Sequence, residues 1–415
     1  MDGLVASARR TPPIRRADIP PAVTPRRAAS SAGTVLRAVL DHGPVARSTV
    51  ARLTGLSPAT VTGLTGGLLA AGLLREAPEA AGPKGVGRPH VPLDVDTSRH
   101  VVCAAHIAVL HSTVALLDLR GRVVAQDRRP HTGTAPDDVL DGLARGLPGL
   151  LARHGDGRAP LGLGVATGGW VDRGGGVVVR HPLLGWADVP VRERLAAATG
   201  LPVRVDAHAR ALARAEQLFG AARSRARDSV VQLFVGNVVD AAFATAGTMQ
   251  HGPRSAAGAV AHLPVDAAAD RPCSCGASGC LQAAVSEHTM ARRAVERGVV
   301  ARPVFADLLA AAEAGDAGAV GLLRERARLV GRAAALLLDL LNPEVLVVVE
   351  PGVSRIPLCL DDLREVVRER SSVRDDPDRA IVPTSFPREV LATAGGAVLL
   401  DALYTDPLAQ VTAPS

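Results

Sequence analysis

From Ser31 the chain carries a helical period, with Val35, Leu36, Val39 and Leu40 on one face. His42-Gly43-Pro44 interrupts it, and a short helical segment, RSTVARLTG, follows and closes at Gly55. Ser57-Pro58 then opens SPATVTGLTGGLLAAGLL, with serine as N-cap and proline just inside the helix. Two short helices joined at Gly55-Leu56 predict a helix-turn-helix. The next run, REAPEAAGPKGVGRP, is rich in turn formers between Leu73-Leu74 and Val91-Pro92-Leu93, the pattern of a hairpin wing. A winged helix-turn-helix module is thus expected over residues 31–95. Residues 1–30 hold three Arg-Arg pairs without a hydrophobic period and read as a disordered basic arm.

Beyond Arg99 apolar, β-rich runs alternate with helices. HVVCAAHIA, STVALLDL and GRVVAQ read as three successive strands, followed by a helix near 136–153 and the strand LGLGVAT. LPVRVD then leads into the helix AHARALARAEQLFG. Around Asp228 the pattern restarts with DSVVQLFVG and VVDAAFATAG, then long helices at 303–341 and the strand LVVVE. Two βββαβα-like halves around a cleft predict a two-lobed α/β, actin-like and ribonuclease-H-like body over residues 99–415.

Composition sharpens this picture. A chain of 415 residues holds two or three domains, and a 47% hydrophobic content supplies their cores. Five Phe, two Trp and one Tyr make those cores aliphatic and leave few stacking platforms for single-stranded nucleic acid. No apolar run is long enough to span a bilayer, and residues 1–30 lack the apolar stretch of a signal peptide, so a cytoplasmic protein is expected. Residues 1–95 carry 12 basic against 6 acidic side chains, which accounts for the whole net charge of +6. A basic module on a neutral body points to an anionic partner for the module, double-stranded DNA; the plainer alternative is a solvated face. The recognition helix would be residues 58–71, with Ser57, Ala59, Thr60 and Thr62 near its groove-facing end. It contains no Arg or Lys, so base readout would rest on hydroxyl and methyl contacts, with phosphates held by Arg47, Arg52, Lys84 and Arg88. Gly63, Gly66 and Gly67 weaken this helix by up to ~1 kcal/mol each.

Three of the five cysteines, Cys273, Cys275 and Cys280, lie downstream of His262 in the spacing H-x10-C-x-C-x4-C. Thiolates and a neutral imidazole are ligands that Zn2+ prefers, and four of them close a structural site without an open position for water. The alternatives are buried free thiols or a disulfide. Cysteines separated by one residue close poorly, and nothing marks the chain as secreted.

The segment CSCGASGC resembles the CxCGxxGC signature of the ROK family of repressors, uncharacterised frames and sugar kinases, and the resemblance runs from about Ser30 to the C-terminus. In that family a histidine about ten residues upstream is the fourth zinc ligand, which His262 matches. The family's wing ends in Gly-Arg-Pro, matched by Gly87-Arg88-Pro89. The resemblance also implies where a sugar kinase would keep its chemistry, and those stations are altered. The first phosphate loop reads His106-Ile107-Ala108, and His106 itself reads as a surface or satisfied core histidine. The second reads Gly236-Asn237-Val238-Val239-Asp240, whose valines block a phosphate nest. His208 occupies the position of the aspartate base. The sugar-contacting glutamates are replaced by Ala259 and Gln282, and Glu350-Pro351 replaces an adenosine-side Gly-Gly.

The resemblance therefore implies a transcriptional regulator, read as a repressor, with a catalytically inactive body that forms a homodimer or homotetramer over a roughly palindromic operator. A small-molecule effector, a carbohydrate by analogy, would bind the cleft, where His181, His208, Arg210 and Gln282 are candidate contacts. Trp170 and Trp186 either line that cleft or pack. Two other readings are an active ROK sugar kinase with a DNA-binding arm, and a protein-binding scaffold.

Overall fold

The computed structural model describes residues 29–80, 91–265, 272–373 and 376–411. Ser30 starts α1 (Ser31–His42) by accepting the Gly33 amide at 3.1 Å. α2 (Arg47–Thr54) ends where Gly55 turns left-handed at φ +70°, a conformation glycine adopts without cost. Ser57 then caps α3 (Pro58–Ala70) by accepting the Thr60 amide at 3.1 Å. The three helices bury Val35, Leu36, Val39, Val50, Val61 and Leu68 together. Strands β1 (Leu74–Glu76) and β2 (Leu93–Val95) pair antiparallel, with Leu74 opposite Val95. They form the base of the expected wing. The intervening span 81–90, with Lys84, Arg88 and the Gly87-Arg88-Pro89 motif, lies outside the described residues, as does most of the basic arm.

The first lobe follows. β3 (His100–Ile107), β4 (His111–Leu117) and β5 (Val123–Pro130) make an antiparallel meander, and α4 (Pro136–His154) returns the chain to β6 (Ala159–Thr167). β7 (Trp170–Asp172), β8 (Val177–His181) and β9 (Trp186–Val189) fold into a small antiparallel sheet. α5 (Val191–Thr199) leads to β10 (Val203–Ala207), parallel to β6, giving the strand order β10-β6-β3-β4-β5. Two helices, α6 (His208–Phe219) and α7 (Arg223–Asp228), carry the chain onward.

The second lobe repeats the plan. β11 (Ser229–Val235), β12 (Val239–Thr245) and β13 (Thr248–Met249) form the meander. Four helices follow: α8 (Leu281–Val285), α9 (Glu287–Glu296), α10 (Phe305–Glu313) and α11 (Ala317–Leu341). β14 (Val345–Val349) adds in parallel, then α12 (Pro351–Arg355), α13 (Pro357–Arg370), α14 (Pro377–Ala380) and β15 (Ile381–Pro383) complete the order β13-β12-β11-β14-β15. The doubled meander-plus-parallel plan is the ribonuclease-H-like architecture expected from the sequence.

The last two helices, α15 (Val390–Thr405) and α16 (Pro407–Val411), tie the molecule together. α15 lies with α6 between the two sheets, where Ala394 and Val398 join Ala209, Leu212, Val230 and Val347 in one cluster. Its approach to the first sheet is close: a Cβ on Gly395 would sit 2.6 Å from the Ala105 carbonyl oxygen. Further along, Leu400, Leu403 and Tyr404 share a core with Val35, Leu36 and Val39 of α1. The DNA-binding-like module is therefore docked on the body, not tethered to it. A Cβ on Gly33 would meet Thr405 O at 2.5 Å, and Ser30 N donates to that oxygen at 2.9 Å. Arg227 forks onto Asp41 at 2.6 and 2.9 Å, and Arg120 pairs with Asp94.

Candidate functional site

Three places hold the sequence candidates. On the module, Ser57, Ala59, Thr60 and Thr62 are all exposed at the start of α3. Arg52, in the last turn of α2, is exposed beside them, whereas Arg47 is partly occupied, its Nη2 3.1 Å from Glu76 and its Nε 3.4 Å from Thr65 Oγ1. Thr62 Oγ1 also spends a bond on its own helix, donating to Pro58 O at 2.8 Å. Gly63 and Gly66 face open space, since a Cβ at either would meet nothing within 4 Å. Internal packing therefore does not demand these glycines.

The second place is the cysteine knuckle. His262, Cys273, Cys275 and Cys280 bring one ligand atom each within 4.8 Å of one another. Cys273 Sγ is 3.4 Å from His262 Nδ1, and the Cys275 and Cys280 sulfurs are 3.6 Å apart. Around a tetrahedral ion with metal–sulfur bonds of about 2.3 Å, ligand–ligand edges come to roughly 3.5–3.8 Å. The two close pairs match such edges, and the four donors together are a set that could hold the ion. Without a cation the crowding is unfavourable: burial and the neighbouring sulfurs push the Cys280 thiol up to about 12.

The third is a cavity of about 520 Å3 between the lobes, lined by the ends of β3, β4, β8, β11 and β14 and by the start of α15. His106 from β3, His181 from β8 and His208 at the start of α6 all reach its wall and are all buried. His106 Nε2 lies 3.3 Å from His208 Nδ1, and the His208 ring stacks on Phe234 with centroids 3.9 Å apart. Beyond it, His208 Nε2 is 3.1 Å from Asp240 Oδ2, within ion-pair distance though poorly aligned for a hydrogen bond. Asp240 also accepts the Gly169 amide at 3.0 Å. His181 Nδ1 accepts the Leu184 amide at 3.2 Å, so the proton of this neutral ring sits on Nε2. Burial holds His181 down to about 4 and drives His106 well below the ordinary histidine value, reinforced by His208, His111 and His181 nearby.

This geometry corrects several expectations. Arg210 does not line the cavity. Its guanidinium is consumed by Asp206 Oδ1 at 2.6 Å, Ser255 O at 2.8 Å and Val171 O at 3.0 Å, which clamps the two lobes together. Gln282 is likewise turned away from the cavity, its Oε1 accepting the Val239 amide at 3.1 Å. His106 is neither a surface nor a satisfied core residue, because its Nδ1 is buried without a partner. Both tryptophans pack: Trp186 Nε1 donates to Thr134 O at 2.6 Å, and Trp170 Nε1 to Arg254 O at 2.8 Å. Phe234 and Glu287 line the cavity and were not among the candidates, and Asp240, read only as part of an altered loop, stands behind His208. The available signal was histidines at the C-terminal ends of β3 and β8 and directly after β10.

Two side chains of the loop that resembles a phosphate cradle pack against Gly168 and Gly169. A Cβ on Gly168 would meet the Val238 side chain at 2.9 Å, and Asp240 holds Gly169 directly. At the other end Glu350 caps α12, accepting Val353 N at 2.5 Å, and is paired with the fully buried Arg326 at 2.5 Å. A carboxylate therefore stands at a helix N-terminus that could otherwise receive phosphate.

A family model described as the ROK family matches residues 104–400. The chain is 36% identical over 391 residues to the transcriptional regulator Rv0485 of Mycobacterium tuberculosis, covering 91% of this chain and 87% of that protein. It is 28% identical over 392 residues to the DNA-binding transcriptional repressor Mlc of Escherichia coli K12, covering 91% and 95%. A crystal structure of a ROK family transcriptional regulator, a homolog of the E. coli Mlc protein, aligns with a TM-score of 0.76 at 25% identity over 92% of this chain and 98% of that one. A ROK family glucokinase from Streptomyces griseus, solved with glucose and AMPPNP, shares the fold of the body, with a TM-score of 0.62 at 22% identity over 71% of this chain and 98% of that one.

Proposed function

The chain belongs to the ROK family, and from that premise we propose that it is a DNA-binding transcriptional repressor without phosphoryl-transfer activity. The observation that carries this reading is the bare first turn of α3. A capped helix presents Ser57, Ala59, Thr60 and Thr62 to solvent, beside exposed Arg52, on a module with a surplus of basic residues. Such a turn enters a major groove and reads bases through hydroxyl and methyl contacts, while arginines fix the register on phosphates. Two modules in a homodimer would meet half-sites about 10 base pairs, or a multiple, apart. The absence of catalysis is supported by histidines at His106 and His208, by Val238 against Gly168, and by Glu350 at α12. In this reading the knuckle holds a structural Zn2+, and the cleft is the effector site.

The test is binding to the DNA upstream of the protein's own gene. Arg52→Ala should weaken binding to specific and random duplex alike, whereas Thr60→Ala should weaken only the specific complex, by roughly 5- to 100-fold. Equal effects of both variants on specific and random DNA would remove α3 from the recognition role.

A further inference from the structure

We propose that the cleft between the lobes binds a small organic carboxylate, seated at the His106 and His181 end, and takes up one proton on the His106–His208 pair as it does so. The inference rests on reading the cleft as the effector site and names the chemistry of what enters it.

The wiring of the pair carries the argument. In the free protein His208 Nε2–H faces the Asp240 carboxylate at 3.1 Å, which leaves His208 Nδ1 to accept from His106 Nε2–H at 3.3 Å. His106, a residue of the cavity lining, then keeps a lone pair at Nδ1 that is buried and unpartnered. His181 shows a donor, Nε2–H, also buried and unpartnered. One added proton converts the chain into carboxylate, imidazolium, imidazole, N–H: His106 Nδ1 becomes a donor, so that it and His181 Nε2 each offer a proton to an incoming carboxylate. The charged pair as a whole is then flanked by Asp240 on the His208 side and by the ligand on the His106 side, an arrangement that a low-dielectric site favours.

The surroundings fit an anion with an apolar tail. Facing His106 are His208, His111 and His181, all able to gain charge and none able to carry a negative one. Arg128, which also contacts His111 at 3.0 Å, and exposed Arg388 stand among the lining residues. The acids of the lining are mostly committed: Glu350 to Arg326, and Glu287 to Asn237 at 3.2 Å, with burial raising the Glu287 carboxyl. Glu389, a third acid in the lining, sits next to Arg388 in the chain. Ile107, Val109, Leu110 and Leu391 supply the apolar wall. A phosphate lacks its cradle here, for the reasons given above.

The test is titration calorimetry of the full-length protein with benzoate, hexanoate and malate, beside benzyl alcohol, hexanol and glucose, at pH 6.5 and 7.5 in buffers of different ionisation heat. At least one carboxylate should bind, about tenfold more tightly at the lower pH, with close to one proton taken up per ligand. His106→Ala should abolish the proton uptake. Asp240→Asn, which keeps the shape and removes the charge, should flatten the pH dependence while binding persists. Binding without proton uptake, preference for a neutral partner of a pair, or no binding by any of the three carboxylates would overturn the proposal. The two readings fail separately. A neutral sugar that releases operator DNA would leave the regulator standing and remove the carboxylate, whereas carboxylate heats in a protein that binds no DNA would do the reverse.

Discussion

At the scale of single residues, local and distant constellations behave differently. The four knuckle donors lie within a span of 19 positions, so their spacing alone pointed to a metal site, and folding brings one ligand atom from each within 4.8 Å of the others. Cys275→Ala should lower bound zinc from one per chain to near none and depress the melting temperature, because metal binding energy is folding energy at such sites. Unchanged metal content and melting would show that these residues hold no ion. The cleft is the opposite case. His106, His181, His208 and Asp240 come from four elements across more than 130 positions, and only folding brings them together. Sequence spacing could not distinguish Arg210, spent as a clamp, from His181, left with a bare nitrogen. The buried His181 also sets an acid limit. A histidine's ordinary value is near 6.5 and His181 is held at about 4, so between those values the unfolded chain binds the extra proton. The stability His181 contributes is complete above about pH 6.5 and is lost as pH falls towards 4. The unfolding free energy from denaturant titration should therefore drop between pH 7 and pH 5 by about 2 kcal/mol on account of this histidine. His181→Asn should shallow that decline, and a stability flat across the window would contradict the burial argument.

Elements with one exposed face were legible from periodicity, and those without one were not. α1, α2 and α3 announced themselves through an apolar stripe, a serine cap and Pro58. α15 reads VLATAGGAVLLDALYT, apolar on every side with two glycines at its middle, because it is sandwiched between two sheets and must pass close to the first. No amphipathic period marks such a helix. The small sheet of β7, β8 and β9 was missed because its strands are only 3 to 5 residues long. The consequence of α15 is mechanical: its first residues line the cleft and its last, Tyr404 and Thr405, touch α1, about 24 Å away for 16 residues of helix. Gly33→Ala should disturb this docking, since the added methyl meets backbone oxygens at 2.5 and 2.8 Å. A loss of about 1–3 kcal/mol is expected from such overpacking, together with faster amide exchange in α1. Wild-type stability and exchange would mean that the module is not seated on α15 in solution.

For the whole molecule, the kinase-like body and the DNA-binding-like module share a core, so a ligand that changes the cleft has a rigid route to α1 through one helix. A ligand can shift operator affinity only by as much as it prefers one arrangement of these parts over another. Under the function proposed above, DNA is the partner through which the molecule acts. The most direct measurement is the affinity of the full-length protein for its own upstream DNA across a salt series. Each neutralised phosphate contributes roughly −0.9 to the slope of log affinity against log salt, and four cations per module in a dimer would give about −7. A specific complex with a slope of that size is the predicted result. A salt-independent interaction, or no preference for that DNA at any salt, would contradict the assignment.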